Sequence, residues 1–441
     1  MDRYTRIGAA LAAAILVLPP PAFAQQSESA EAPGAASAVE TEGSAPTKSG
    51  YTAGASLEGG DSVTEDLAQD DLAVGSVLHF PRVEQFFAPW FDAKRKLNER
   101  YGLKLQFSYQ ALYQDADESP GEDEAAAGRG EFQGTWTLIG RDTKNPGLLS
   151  FRVENRHAFG SKIPPTQLGA QFGSAIPTGS GFSDFGTAVT EVAWRQTLLD
   201  GRMKFAAGKI SATSWYNTNA LSSAKTGFQN LALRTSVSKP GPGRGLGAGM
   251  AVRLGVRFVA LAGIHDANAR TPDDPFDTID EDEFYQSLEV RWFPTTFDRR
   301  RWDQVRVQVW HQDERATAGV PSDQGFTFAA NRLFNEFWMP FVLGGISDGV
   351  ASTYEADLIA GVGFGFKPVH RTARDVLGFA VGWGKPANDT LQDQYTSEVF
   401  YRLQLVQNLA ITPSAQYIVN PANSPNETEV WVVGLRGRLT F

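Results

Sequence analysis

Hydrophobic residues recur at every second position along much of this chain. Leu103, Leu105, Phe107, Tyr109, Ala111 and Tyr113 share one parity, with Lys104, Gln106, Ser108 and Gln110 on the other. Leu149, Phe151 and Val153 alternate with Ser150, Arg152, Glu154 and then Arg156. Phe284, Leu288, Val290 and Trp292 alternate with Tyr285, Ser287, Glu289 and Arg291. Val399, Tyr401, Leu403 and Leu405 alternate with Glu398, Phe400, Arg402 and Gln404. Successive side chains of a strand point to opposite faces, so each segment is a two-sided wall. Segments of about ten residues are long enough to cross a bilayer as tilted strands. The last segment is the clearest. Trp431, Val433, Leu435, Gly437, Leu439 and Phe441 form one face, and Gly434, Arg436, Arg438 and Thr440 the other. An apolar face that persists to a free terminus fits a wall with lipid on one side and water on the other.

The connections fall into two classes. Leu199 to Arg202 is short, whereas Asp115 to Gly130 and Asn268 to Glu283 are long, polar and acidic. Short turns on one rim and long loops on the other predict an antiparallel transmembrane β-barrel over residues 103–441. At roughly 20 to 22 residues per strand plus connection, it has about 16 strands. Before it, residues 81–102 predict a short amphipathic helix, with Pro89 suited to a first turn and Gly102 to the stop. Residues 25–80, rich in Ala, Ser, Gly and Glu, predict a disordered periplasmic extension, being too poor in apolar surface to offset their ordering entropy. Residues 1–24 predict a signal peptide: Arg3 and Arg6, an apolar run from Ile7 to Leu18, and Ala22-Phe23-Ala24 before Gln25. No other run is long and apolar enough for a spanning helix, so strands must carry the chain across the bilayer.

The chain has no cysteine, which excludes disulfides and thiolate metal sites. A net charge of -10 argues against a nucleic-acid partner. The acidic run Asp273 to Glu283 lacks the spacing of a calcium loop and reads as a solvated external loop. The five histidines, His79, His157, His265, His311 and His370, show no metal-binding spacing. No metal or cofactor is expected.

Several segments resemble one family, the carbohydrate-selective porins, whose namesake is the glucose porin OprB. The similarity is strongest over Ser397 to Asn423, S-E-V-F-Y-R-L-Q-L-V-Q-N-L-A-I-T-P-S-A-Q-Y-I-V-N-P-A-N, followed by V-V-G-L-R. Val189 to Asn219 and Asp375 to Pro386, D-V-L-G-F-A-V-G-W-G-K-P, are also similar. The resemblance implies a barrel of about 16 strands with inward-folded loops, passing sugars across the outer membrane without catalysis or energy input. Its implied partners are the lipid bilayer, lipopolysaccharide, the barrel assembly machinery that reads the Phe441 strand, and sugar. It favours a monomer over a trimer. The low-complexity extension is outside the resemblance.

A sugar squeezed through a constriction loses water from its hydroxyls, and each unpaired polar group costs about 1 to 3 kcal/mol. Inward Arg and Glu replace those bonds strongly, and aromatic rings offer a flat apolar face. The sequence nominates Arg152, Glu154, Arg156, Glu191 and Arg195 for the constriction, with Lys209 and Trp215 close by. Glu289, Arg291, Arg402 and Arg436 extend the inward charged set. The same charges also suit salt-bridged ladders that brace the wall. Three other readings stay open: a pore of this fold for organic acids or general solutes, a barrel hydrolase using His157 or His311, and an envelope tether acting through the acidic arm.

Overall fold

The computed structural model describes residues 47–51, 58, 59, 61–73, 75–78, 80–216, 219–365, 375–424 and 426–441. The expected signal peptide, the extension up to residue 46, His79 and His370 lie outside them.

Sixteen antiparallel strands close into a barrel in chain order, with β16 hydrogen-bonded to β1. They are β1 (Leu103–Ala116), β2 (Glu124–Ile139), β3 (Gly147–Ala158), β4 (Gly186–Leu198), β5 (Met203–Ile210), β6 (Gly245–Leu254), β7 (Phe258–Asp266) and β8 (Phe284–Trp292). The second half comprises β9 (Gln304–Gln312), β10 (Asp323–Asn331), β11 (Trp338–Ser347), β12 (Tyr354–Phe364), β13 (Val376–Pro386), β14 (Gln394–Val406), β15 (Leu409–Val419) and β16 (Glu429–Thr440).

The predicted parity holds in all five segments read from the sequence. Phe107, Leu288, Val399, Trp431, Val433 and Leu435 are exposed on the outside, while Gln106, Arg152, Glu289, Glu398 and Arg436 are buried inside. Closure is tight at the seam: Phe441 N donates to Phe107 O at 2.8 Å, and Phe107 N to Phe441 O at 3.1 Å.

Most turns on the rim that carries the barrel's ends are short, such as 199–202 and 407–408, with 293–303 a longer one. The opposite rim carries the long connections 159–185, 211–244 and 267–283. The expected loop from Asp115 to Gly130 is wrong in extent. β1 runs on to Ala116 and β2 begins at Glu124, leaving only 117–123 as connection. The A-A-A-G run has weak strand propensity, but its small side chains let an inward loop pack on the wall. Ala125 lies against Leu168 and Phe172, and Ala127 against Phe182. Residues 159–185, which include the short helix Pro165–Gln171, and residues 219–244 both fold into the lumen. Gln114 and Gln416 donate to Thr178 O at 3.1 and 2.9 Å, and Asp357 accepts from Ser236 Oγ at 2.8 Å and Val237 N at 2.7 Å.

The expected disorder also ends too late. Residues 63–71 form a helix, α1 (Val63–Asp71), inside the rim of short turns. Ser62 caps it, accepting from Glu65 N at 3.2 Å. Asp71 in turn accepts from the backbone N–H groups of Ser49 and Tyr51, both at 2.8 Å. Its apolar contact is small, limited to Tyr51, Val63 and Leu67. Ion pairs with the barrel wall, which composition does not register, hold the rest of it.

The next helix, α2, runs from Pro81 to Tyr101. The first-turn proline is Pro81, not Pro89, which lies in the interior and leaves the Gln85 carbonyl without its usual helical partner. Gly102 ends the helix at φ 69°, with its N–H bonded to Asn98 O at 2.8 Å.

Candidate functional site

The lumen wall is built by the inward parity of each strand. On β2 and β3 this aligns Arg129, Glu131 and Gln133 with Arg152, Glu154 and Arg156. Glu131 lies opposite Glu154, and Arg129 opposite Arg156. Two carboxylates directly opposite would repel, and arginines separate them. Arg129 Nη2 reaches Glu131 Oε1 at 2.8 Å, and its Nε lies 3.4 Å from Glu154 Oε2. Arg156 Nη2 donates to Glu154 Oε2 at 2.6 Å, and Arg152 Nε to Gln133 Oε1 at 2.6 Å. Arg244, from the inward loop, stands 3.5 Å from Glu154, and Lys225 reaches Glu131 at 2.9 Å.

α1 supplies further carboxylates to this wall. Asp66 pairs with Arg152 at 3.3 Å and with Lys225. Asp70 accepts from Arg438 Nη1 at 2.7 Å, Glu65 pairs with Arg301 at 2.7 Å, and Glu58 pairs with Arg195. Asp61 accepts from Ser223 Oγ at 2.6 Å. An acidic segment thus sits in a basic socket. Burial works to raise the Asp70 carboxyl, but the adjacent Arg438 outweighs it and holds the group below its ordinary value. Burial likewise opposes ionisation of Asp61, and Arg234 and Lys225 bring it below normal. Burial wins at Asp66 and pushes it up, despite Lys225 and Arg152.

A second group forms where β4 bulges opposite Arg152 and Val153. Thr190 and Glu191 both turn inward there. Thr190 Oγ1 donates to Glu154 at 3.0 Å, and Glu191 accepts from Ser150 Oγ at 2.7 Å and from Arg195 Nη2 at 2.8 Å. The Arg195 guanidinium lies 5.9 Å from the Trp215 ring centre. Arg291 donates to Trp215 O and pairs with Glu289. Arg195 and Trp215 border a cavity of about 630 Å³ at the short-turn rim, together with Glu58, Leu67, Lys104 and Lys204.

The eleven nominated residues therefore divide. Arg152, Glu154 and Arg156 share one network, and Glu191, Arg195, Trp215, Glu289 and Arg291 form the adjoining group. Lys209 stands apart, donating to Asp273 O of the external loop at 2.6 Å. Arg402 and Arg436 hold an inward loop by its carbonyls: Thr226 O at 3.3 Å, and Ala224 O at 2.7 Å with Gly227 O at 3.1 Å. Arg129, Glu131 and the acidic face of α1 escaped the sequence reading. Alternation through R-G-E-F-Q-G-T-W would have found the first two, and the S-x-x-E capping pattern at Ser62–Glu65 the helix.

The two histidines considered as bases have ordinary partners. His157 bonds Tyr109 Oη at 3.2 Å and Asn155 Oδ1 at 2.8 Å, and His311 bonds Asp313 at 3.1 Å. Among the described residues, no group of His, Asp and Glu converges as a metal site.

Residues 308–441, from β9 to the end of β16, match the family model "Carbohydrate-selective porin, OprB family". That segment, less than a third of the chain, is what resembles the family. The barrel fold is shared over more of the chain. The chain is similar to the high-pH structure of Pseudomonas putida OprB, with TM-score 0.63 and 13% identity, over 80% of this chain and 97% of that one. A mutant of Rh. blastica porin matches with TM-score 0.47 and 10% identity, over 77% of this chain and all of the other. No curated protein sequence matches.

Proposed function

We propose that this porin passes sugars by passive diffusion, after export through the periplasm behind the leader at residues 1–24. The observation that carries the reading is the wall beside α1, where ionised Arg and Glu side chains meet an aromatic face at a cavity. Arg195, Glu58 and Lys204 offer strong hydrogen bonds to sugar hydroxyls, and Trp215 a flat surface for C–H groups. At about 630 Å³ the cavity lies within the usual range for small-ligand sites, about 300–1,000 Å³. The wall arginines and glutamates, led by Arg152, Glu154, Arg156, Glu191 and Arg195, form the constriction. α1 and the inward loops narrow it, so α1 and the described residues beside it, 47–51 and 58–62 without 60, act as a plug in the short-turn mouth. Binding must remain weak for flux, and a millimolar site is only about 4 kcal/mol deep. The barrel works alone, contacts lipopolysaccharide through its outer face, and presents its Phe441 strand to the assembly machinery.

The test is liposome swelling across a sugar series, with single-channel current titrated by glucose. Glucose-dependent block and size-graded swelling support the reading. Equal permeation by all small solutes, with no block, reduces the protein to a general porin.

One observation favours a second reading, an organic-acid pore. Five cations, Arg129, Arg152, Arg156, Lys225 and Arg244, face three carboxylates, Glu131, Glu154 and Asp66, in the central network. A strong anion-selective reversal potential, with current blocked by carboxylates rather than by glucose, would favour it.

A further inference from the structure

Helix α2 is exposed along most of its length, and only Lys94 is fully buried. Its course fixes its orientation. Just before it, Val77 N and Leu78 N donate to Gln404 O and Leu405 O, at 3.0 and 2.9 Å, at the end of β14. Just after it, Gly102 O accepts from Thr137 N at 2.9 Å, at the base of β1 and β2. Strands β14, β15, β16 and β1 are consecutive neighbours. A helix of this length, about 30 Å, therefore runs along the rim, in the plane of a bilayer rather than across it.

The helix has three faces. One packs inward: Phe87 meets Phe441 of the barrel with tilted rings, centres 4.9 Å apart, and Lys94 lies over Tyr51 of the preceding segment at 5.2 Å. A second carries Arg82, Glu84, Asp92, Arg95, Lys96, Glu99 and Arg100. The third carries Phe86 and Trp90, with Phe80 and Val83 at its border with the barrel face, where they line a pocket with Phe87 and Val406; all four are exposed, Phe86 by 76%. Four large apolar side chains on this stripe and its border form a patch that water alone does not explain.

That stripe reaches the barrel's lipid-facing band through Phe87, whose ring Phe86 meets edge-on at 5.1 Å. Phe441, under Phe87, lies 6.4 Å from the outward ring of Phe107. Outward Trp136 donates its indole N–H to Tyr101 O at the helix's other end, at 3.1 Å. A bilayer that wets Phe107 and Trp136 meets the apolar stripe of α2 next.

We propose that α2 is an interfacial anchor. It lies at the headgroup–acyl boundary of the leaflet at the short-turn rim, with Phe80, Val83, Phe86 and Trp90 in the acyl region and its charged face in water. Phospholipid is the occupant. The proposal rests on the barrel's membrane placement and not on its solute.

The chain has no cysteine, so single-site spin labels report cleanly. Phe86→Cys, Trp90→Cys, Arg95→Cys, Glu99→Cys and a barrel control, Val433→Cys, are each labelled and reconstituted in phosphatidylethanolamine–phosphatidylglycerol vesicles. A heat-modifiable gel shift verifies that each barrel is folded. The relaxation by oxygen relative to a water-soluble nickel chelate is then compared. Oxygen dominance at positions 86, 90 and 433, with nickel dominance at 95 and 99, supports the anchor. Nickel dominance at 86 and 90 with oxygen dominance retained at 433 overturns it and leaves the barrel in lipid. Exclusion of both reagents at 86 and 90 also overturns it, revealing a protein cover such as a second copy. Nickel dominance at 433 as well would remove the membrane placement itself.

Discussion

Asp70 and Arg438 stand 368 residues apart in sequence and meet at 2.7 Å, tying the plug helix to the last strand of the barrel. The pair is about nine-tenths shielded from water. Removing one member of such a pair leaves the other charge without its partner, at a cost of about 3 kcal/mol. Asp70→Asn is expected to loosen α1, seen as faster hydrogen exchange over residues 63–71 with the barrel intact. The double variant Asp70→Asn/Arg438→Gln should recover part of the loss. Unchanged exchange in the single variant would mean that this bridge does not hold the helix.

The same bridge sets a pH dependence. The folded Asp70 carboxyl lies below its ordinary value because Arg438 outweighs burial. Its contribution is therefore fully present above the unfolded value, about 3.9, and is lost as pH falls through the lower folded value. Plug protection should survive mild acid and fail below about pH 4. In Arg438→Met the folded value rises toward the unfolded one, so this contribution shrinks: protection should be lower at neutral pH and less sensitive to acid. Exchange measured along a pH series, corrected for the intrinsic rate, checks both the direction and the flattening.

Arg195 and Trp215 form the corner of the cavity where a sugar would exchange water for protein. Losing one charged hydrogen bond there should weaken glucose block by about 1 to 3 kcal/mol, or roughly 5- to 150-fold in half-blocking concentration. Arg195→Met should show this loss and Arg195→Lys a smaller one, while Trp215→Ala should act through the lost apolar face. Titration of single-channel current is the readout. Lys209→Met, whose side chain serves the external loop, should leave block unaltered.

On the outer wall, Leu435 lies near the middle of β16 and is exposed. Leu435→Arg is expected to destabilise the folded barrel by about 2 to 4 kcal/mol in lipid. Arginine at Gln416, on the lumen side of β15, should not carry that lipid cost. Urea titration of reconstituted protein by tryptophan fluorescence distinguishes the two sites.

Gly102 joins α2 to β1 with φ 69°, and a Cβ there would approach Thr137 O to 2.9 Å. Gly102→Ala should cost about 1 to 2 kcal/mol from the left-handed backbone alone. It should increase proteolysis near residue 101 before it affects the barrel's gel shift.

The wall was legible in the sequence because lipid and water impose period two on every strand, and Phe107, Arg152 and Val433 obey it locally. The A-A-A-G run of β2 was not, because small side chains there serve a packed loop rather than lipid. α1 was hidden for a different reason. Asp66, Asp70 and Glu65 find Arg152, Arg438 and Arg301 across most of the chain, and no local window contains both halves of such a bond. The inward charges were correctly placed on the lumen face, but their division into a central network, a cavity edge and loop tethers depends on loop paths. Arg436 looks like Arg152 in the alternation, yet it grips Ala224 and Gly227 carbonyls.

Phe107 and Phe441 share reciprocal backbone bonds, so the first strand is completed by the far end of the last one. A nascent cylinder therefore stays open until its tail arrives. Loss of the Phe441 ring would strip the support beneath Phe87 as well, so a change at that one position would unsettle the seam and the rim helix together.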